Sequence, residues 1–220
     1  MKKQMEKSNM DNAKRTRETR QLRRLEILMD VVFAVVIWRF FFLFPRPSKG
    51  TLDWDTVSTF LSANLGSFII GLLGIIIVII YWLQNNALFG NLKRTDNRHA
   101  IISIFQIFFL LIFLYSIRIG MVFEGSTGAQ VFESVAAALL GFTSVLGWLY
   151  AIRNHRLLSE DVSRERAFEF LDRILVEPVT ALITIPCAFI GPYAWEAAWF
   201  LYPFVIWLMR RLKISKVSFG

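Results

Sequence analysis

The sequence has 220 residues, of which 55% are hydrophobic, and its formal net charge is +8. The apolar residues lie in long runs rather than in amphipathic patterns, which excludes an ordinary soluble domain and favours an integral membrane protein. With Cys187 as its one cysteine, the chain can form neither an internal disulfide nor a Cys-based metal site of its own.

Residues 1–24 form a polar, basic arm at the amino terminus. A cleaved signal peptide fits poorly, because the charged segment is long, the apolar run after it is bulky, and no small-residue cleavage site follows. We therefore predict a cytoplasmic arm that becomes helical towards its end and leads into a retained membrane span.

Six apolar segments follow the arm, and each is close to the length of about 20 residues that a membrane-spanning helix needs. The predicted fold class is all-α, an integral membrane six-helix bundle that occupies residues 25–209. The predicted spans are 25–44, 62–83, 100–119, 130–152, 174–190 and 195–209.

The Lys and Arg residues predict the orientation of the bundle. Most of the 25 fall in the arm, in the loops after the second and fourth spans, and in the basic tail 210–220. Because cytoplasmic segments retain positive charge during insertion, we expect both termini to be cytoplasmic. Basic clusters beside membrane helices attract anionic lipids by about 1 kcal/mol per residue, so the charge requires no nucleic-acid partner.

Small residues recur at helical spacing in two of the predicted spans. This pattern is typical of close helix packing in membranes, and a hinge used in gating is the functional alternative. The residues are Ser67, Gly71 and Gly74 in the second span and Ala137, Gly141 and Ser144 in the fourth.

Four of the ionisable residues within the predicted spans stand out as candidates, because a charge there usually needs a partner or a function. Arg118 and Glu177 lie near span ends and have simple structural explanations. Asp30 and Arg39 are nine residues apart on opposite faces of one helix, so they cannot pair with each other. Arg39 either extends to the outer headgroups or lines a water-filled pathway.

Arg24, Glu26, Asp30, Val32, Phe33 and Ala34 open the first span. In this arrangement the span resembles the transmembrane protein 175 family of potassium-permeable channels. That family has an Arg, a Glu two residues on, and then Phe-Ser-Asp-Gly-Val-Phe-Ala-Ile. Tyr81-Trp82 at the end of the second span and the short loop that follows extend the likeness. The positions that match in register are Arg24, Glu26, Asp30, Val32, Phe33 and Ala34.

The resemblance implies a homotetramer whose first helices line the path of a permeant K⁺ ion, with no cofactor. Val35, Arg39 and Phe42 then form the pore stripe. Arg24, Glu26, Asp30 and Phe33 form the first-helix motif, which ties this helix to its neighbours through polar contacts. Arg153 and Arg173 are the partners we expect for Asp30, because they should lie at a similar depth in the membrane.

The departures from the family pattern bear on ion selectivity. Met29 and Val31 replace the Ser and Gly of the motif, Trp38 replaces a small polar residue, and Asn85 replaces a His. Four Arg39 side chains around a narrow pore would repel potassium, so either the helix turns Arg39 towards headgroups or the pore is not a conventional cation path.

Other functional classes lack the residues that they need. An intramembrane enzyme requires a nucleophile, base or metal ligands at membrane depth, and the sequence predicts no catalytic or metal site. His99 and His155 are expected to be solvated residues of cytoplasmic loops. A non-conducting membrane scaffold of the same fold is the alternative to a channel. The expected location is the bacterial inner membrane, because the length matches the six-span bacterial branch of the family.

Overall fold

The computed structural model describes residues 2–42, 44–47, 54–153 and 156–212. The described residues form helices without strands, and the predicted all-α class is confirmed. The helices are α1 (Lys2–Phe41), α2 (Trp54–Ala63), α3 (Leu65–Gly90), α4 (Asn97–Val122), α5 (Thr127–Ile152), α6 (Arg164–Ala188), α7 (Pro192–Trp199) and α8 (Tyr202–Leu212).

By length and composition, α3, α4 and α5 are the described helices long and apolar enough to cross a membrane. The first predicted span lies in α1, which continues unbroken through the arm as one helix of 40 residues. The fifth predicted span lies in α6, which also carries charged residues near its start and two internal prolines. From residue 213 on, the predicted tail 210–220 lies outside the described residues, as does His155.

The prediction of one helix over 195–209 is wrong. This segment is divided between α7 and α8, with a break at Phe200 and Leu201. Pro203 stands in the first turn of α8, where its missing N–H costs no helical hydrogen bond. The same proline would interrupt a helix that ran through it, so the segment starts a new one.

The chain divides into two compact units, one of which is Arg23–Gly90. In this unit α2 leads into α3 through Asn64, whose backbone N–H donates to the Phe60 carbonyl. Beyond the carboxyl end of α1, the Phe44 ring stacks on Phe68 with 5.5 Å between centroids. Phe44 also occupies the space where a side chain at Gly71 would begin, so this glycine permits close packing.

The second unit holds the residues before Arg23 and after Gly90. Here α5 packs between α4 and α6, and α6 packs against α7 and α8. The buried Trp148 donates its indole N–H to the Ala167 carbonyl at 2.8 Å. Among the small residues predicted to pack, Ala137 and Ser144 are buried in α5, and Gly141 lies directly against Pro178 of α6.

Candidate functional site

One face of α1 is apolar and exposed in the single chain. Val35 is 50% exposed and Phe42, just after the helix end, is 48% exposed. A different face is buried, and its side chains are Leu25, Met29, Phe33 and Val36. Because positions three and four apart lie on one helical face, Val35, Arg39 and Phe42 follow one line along the exposed side.

Arg39 is exposed and lies in the last turn of α1. Its carbonyl accepts a hydrogen bond from the Phe42 backbone N–H at 3.1 Å. Trp38 packs edge-to-face on Phe42 with 4.7 Å between centroids, and the Arg46 guanidinium lies 5.8 Å from the same ring. The helix therefore ends in an aromatic group with two nearby positive charges, and a cation at a helix carboxyl end is electrostatically favoured.

Asp30 has a neutral hydrogen-bond partner. Its Oδ1 accepts from the Trp82 indole N–H of α3 at 2.9 Å. The structure thus gives Asp30 a tryptophan where we expected Arg153 or Arg173. Charge pairing guided that expectation, but an indole N–H also satisfies a carboxylate oxygen and brings an apolar body into contact with the helix.

The other motif residues take different environments on α1. Phe33 is 1% exposed, Glu26 is partly buried and Arg24 is exposed. Phe33 therefore contributes packing, while Arg24 and Glu26 lie near the amino-terminal end of the apolar segment of α1. Glu26, Asp30 and Phe33 stand four and three residues apart and so share one side of the helix, whereas Arg24 lies on the opposite side.

Sequence reasoning missed a polar cluster at the start of α4. Asp96 caps this helix by accepting the His99 backbone N–H at 3.0 Å, and it accepts the Tyr150 hydroxyl at 2.6 Å. The Arg156 guanidinium lies 3.3 Å from the same carboxylate. Partial burial raises the pKa of Asp96, but these hydrogen bonds and the arginine outweigh it and hold that pKa below its ordinary value.

His99 is buried, which corrects the expectation of a solvated loop residue. It is 0% exposed, and its Nδ1 lies 2.9 Å from Thr95 Oγ1 in a hydrogen bond. The cause is the Asp96 cap, which starts α4 three residues before the predicted span and so places His99 in its first turn. An aspartate three residues before a histidine at the start of an apolar run was the available signal.

No group of three or more His, Cys, Asp and Glu side chains in the described part of the chain is arranged to hold a metal ion.

The fold matches solved channel structures. A crystal structure described as a lysosomal potassium-selective channel TMEM175 homologue from Chamaesiphon minutus has a TM-score of 0.65 and 13% identity, covering 86% of this chain and 98% of that one. A variant of the potassium channel MtTMEM175, in complex with a nanobody–MBP fusion, has a TM-score of 0.58 and 18% identity, covering 87% and 90%. The chain has the fold of the TMEM175 channels.

The resemblance seen at the first helix is thus confirmed at the level of the fold. No protein-family model matches the sequence, and no curated protein matches it. The two TMEM175 structures are ion channels rather than enzymes. At 13% and 18% identity the likeness establishes architecture, so function has to be argued from the residues of this chain.

Proposed function

We propose that this protein is a potassium-permeable, monovalent cation channel that conducts passively through a tetrameric pore lined by α1. The observation that carries the proposal is the exposed apolar stripe of α1, in a chain with the TMEM175 fold. Four copies of this stripe around an axis would bury it and form a narrow path between chains. Large apolar side chains at Val35 and Phe42 then provide the constrictions.

The surroundings of the channel follow from the charges. The basic arm and the basic loops face the cytoplasm and attract anionic lipids of a bacterial inner membrane. This orientation rests on the distribution of Lys and Arg along the chain. K⁺ is the permeant ion of the proposed channel, and no cofactor is required.

Arg39 favours a second candidate, a non-conducting membrane scaffold of the same fold. Its guanidinium is exposed on the stripe, and four such groups around one axis would repel cations. In the channel, Arg39 lies between Val35 and Phe42 along the stripe, roughly 6 Å along the helix from Val35. Its charge would oppose the passage of cations between the two constrictions, so its removal should raise flux.

Potassium flux into liposomes tests the proposal, with sodium and chloride gradients as controls. We expect flux in the wild type and larger flux in Arg39→Ala. We expect this increase in flux to be smaller at high salt, because the screening length of electrostatic interactions falls from about 10 Å at 0.1 M to about 3 Å at 1 M. Arg118→Ala removes an equal charge from α4 and is expected to leave flux unchanged.

Val35 and Val36 provide a matched pair for the pore stripe. Val35 is half exposed, whereas Val36 is 7% exposed and lies on the buried face. Val35→Ala should widen the path and raise flux, whereas Val36→Ala should lower stability by about 0.5–2 kcal/mol without widening the path. A folded tetramer that passes no ion in wild type, Arg39→Ala and Val35→Ala would refute conduction and favour the scaffold.

A further inference from the structure

The cytoplasmic part of α1 is held at one point along its length. Every side chain of this helix between residues 12 and 20 is exposed except that of Glu18, whose side chain is 15% exposed. An isolated basic helix in water has no reason to bury a carboxylate unless a partner compensates for the lost hydration. Glu18 therefore marks a contact rather than a solvated face.

The contact is made by the loop between α3 and α4. Arg94 Nη1 lies 3.4 Å from Glu18 Oε2, and the Thr95 backbone N–H donates to the Glu18 carbonyl at 3.3 Å. One turn further along the helix, Gln21 Nε2 donates to Asn97 Oδ1 at 2.8 Å. We call these five residues the α1 clamp. Its three contacts lie on one face of the helix, at positions three apart.

The loop that carries the clamp is itself anchored to the connection between α5 and α6. Arg94 Nε donates to the Arg156 carbonyl at 3.0 Å, so the guanidinium that holds Glu18 also binds this connection. The Lys93 backbone N–H donates to the Leu157 carbonyl at 3.0 Å. A planar guanidinium with several fixed donors is suited to such a double contact, and a lysine is not.

We propose that the α1 clamp positions the pore-lining part of α1 and thereby sets ion flux, an inference that rests on the proposed channel function. The helix is continuous from the clamp to the stripe, and Glu18 lies about 26 Å along the axis from Val35. Helices bend only gently without a proline, so a shift or rotation at Glu18 moves the stripe. Glu18 and Arg94 are positioning residues, since neither belongs to the stripe.

A double-mutant cycle tests the clamp through potassium flux and through hydrogen exchange of the amides of residues 12–22. We expect Glu18→Gln and Arg94→Gln each to change flux by about two- to fivefold in the same direction, the range for a partly exposed ion pair. The double variant should change flux no more than the larger single effect, because both substitutions break one contact. Exchange in the arm should become faster in all three.

Two further variants sharpen the test. Glu6→Gln removes the same charge from an exposed position of the same helix, and it should change neither flux nor exchange. Arg94→Lys keeps the charge but loses the double contact, and it should behave like Arg94→Gln.

The two readouts separate the failures of the two proposals. Faster exchange in the arm with wild-type flux would overturn the positioning role. Unchanged exchange in Glu18→Gln and Arg94→Gln would overturn the clamp itself. Absence of flux in the wild type would refute the channel, and with it the effect on flux, while exchange would still show whether the clamp holds the arm.

Discussion

Replacing Gly141 by alanine should destabilise the contact between α5 and α6. A Cβ built at this glycine would lie 2.6 Å from Pro178 Cδ and 3.0 Å from the Pro178 backbone nitrogen, inside the 3.4 Å at which ordinary contact begins. The proline ring is closed and its nitrogen belongs to the backbone, so neither can rotate away. The two helices must separate locally, and overpacking of this kind costs about 1–3 kcal/mol.

Helix propensity opposes part of this cost. Alanine is favoured over glycine in a helix interior by up to about 1 kcal/mol, which leaves a net loss of up to about 2 kcal/mol. For a protein of this size, that loss corresponds to a melting temperature lower by up to about 8 °C. The assay is thermal unfolding of the purified protein in detergent, followed by the loss of helical circular dichroism.

Gly147→Ala is the matched control, because it adds the same methyl group to the same helix. Its Cβ would meet Ile102 Cγ2 at 3.5 Å, an ordinary contact with the end of a side chain. We expect this variant to melt at or above the wild-type temperature. If Gly141→Ala melts as high as Gly147→Ala, close approach of α5 to Pro178 does not explain the glycine.

Three further predictions concern single polar contacts. Asp96→Asn should be less stable than the wild type at neutral pH. Since the folded-state pKa of Asp96 is lowered, the difference is fully present above the unfolded pKa of about 4 and should vanish as the pH falls through the folded value, which melting between pH 2.5 and 8 would show. A stability difference between the two proteins that does not change with pH would contradict this explanation. Trp148→Phe should lose about 1–3 kcal/mol in chemical unfolding, because it removes the hydrogen bond to the Ala167 carbonyl at a buried site; a loss below about 0.5 kcal/mol would mean that this bond contributes little. Trp82→Phe and Asp30→Ala should couple by about 0.5–1.5 kcal/mol in a double-mutant cycle, and additive effects would mean that their 2.9 Å contact does not contribute.

Properties set by a single segment were predictable from the sequence. Long apolar runs place helices wherever backbone groups cannot bond to water, so the predicted spans other than 195–209 fall mainly within single helices. The spacing of Val35, Arg39 and Phe42 likewise puts them on a common face, because helical periodicity alone determines which side chains share a side. Gly141 could be recognised as a packing position because small residues recur around it at helical intervals.

Properties set by distant segments were not predictable. The partner of Asp30 depends on which helix packs beside α1, and charge alone pointed to arginines. The burial of His99 depends on a cap that begins α4 three residues early. Helix α2 lies between predicted spans, and its ten residues are too few to give an apolar run of membrane length.

Different levels of α1 meet different physical requirements. Towards its amino end, Glu18 needs a cation and hydrogen bonds because its carboxylate is shielded from water. In the middle, Phe33 and Met29 need an apolar neighbour, while Asp30 is satisfied by an indole N–H. Towards the carboxyl end of α1 the stripe is exposed in the single chain. One continuous helix runs through all of these levels. In the proposed channel, a substitution in the arm therefore acts on the pore without contacting an ion, and flux measurements on arm variants are informative for that reason.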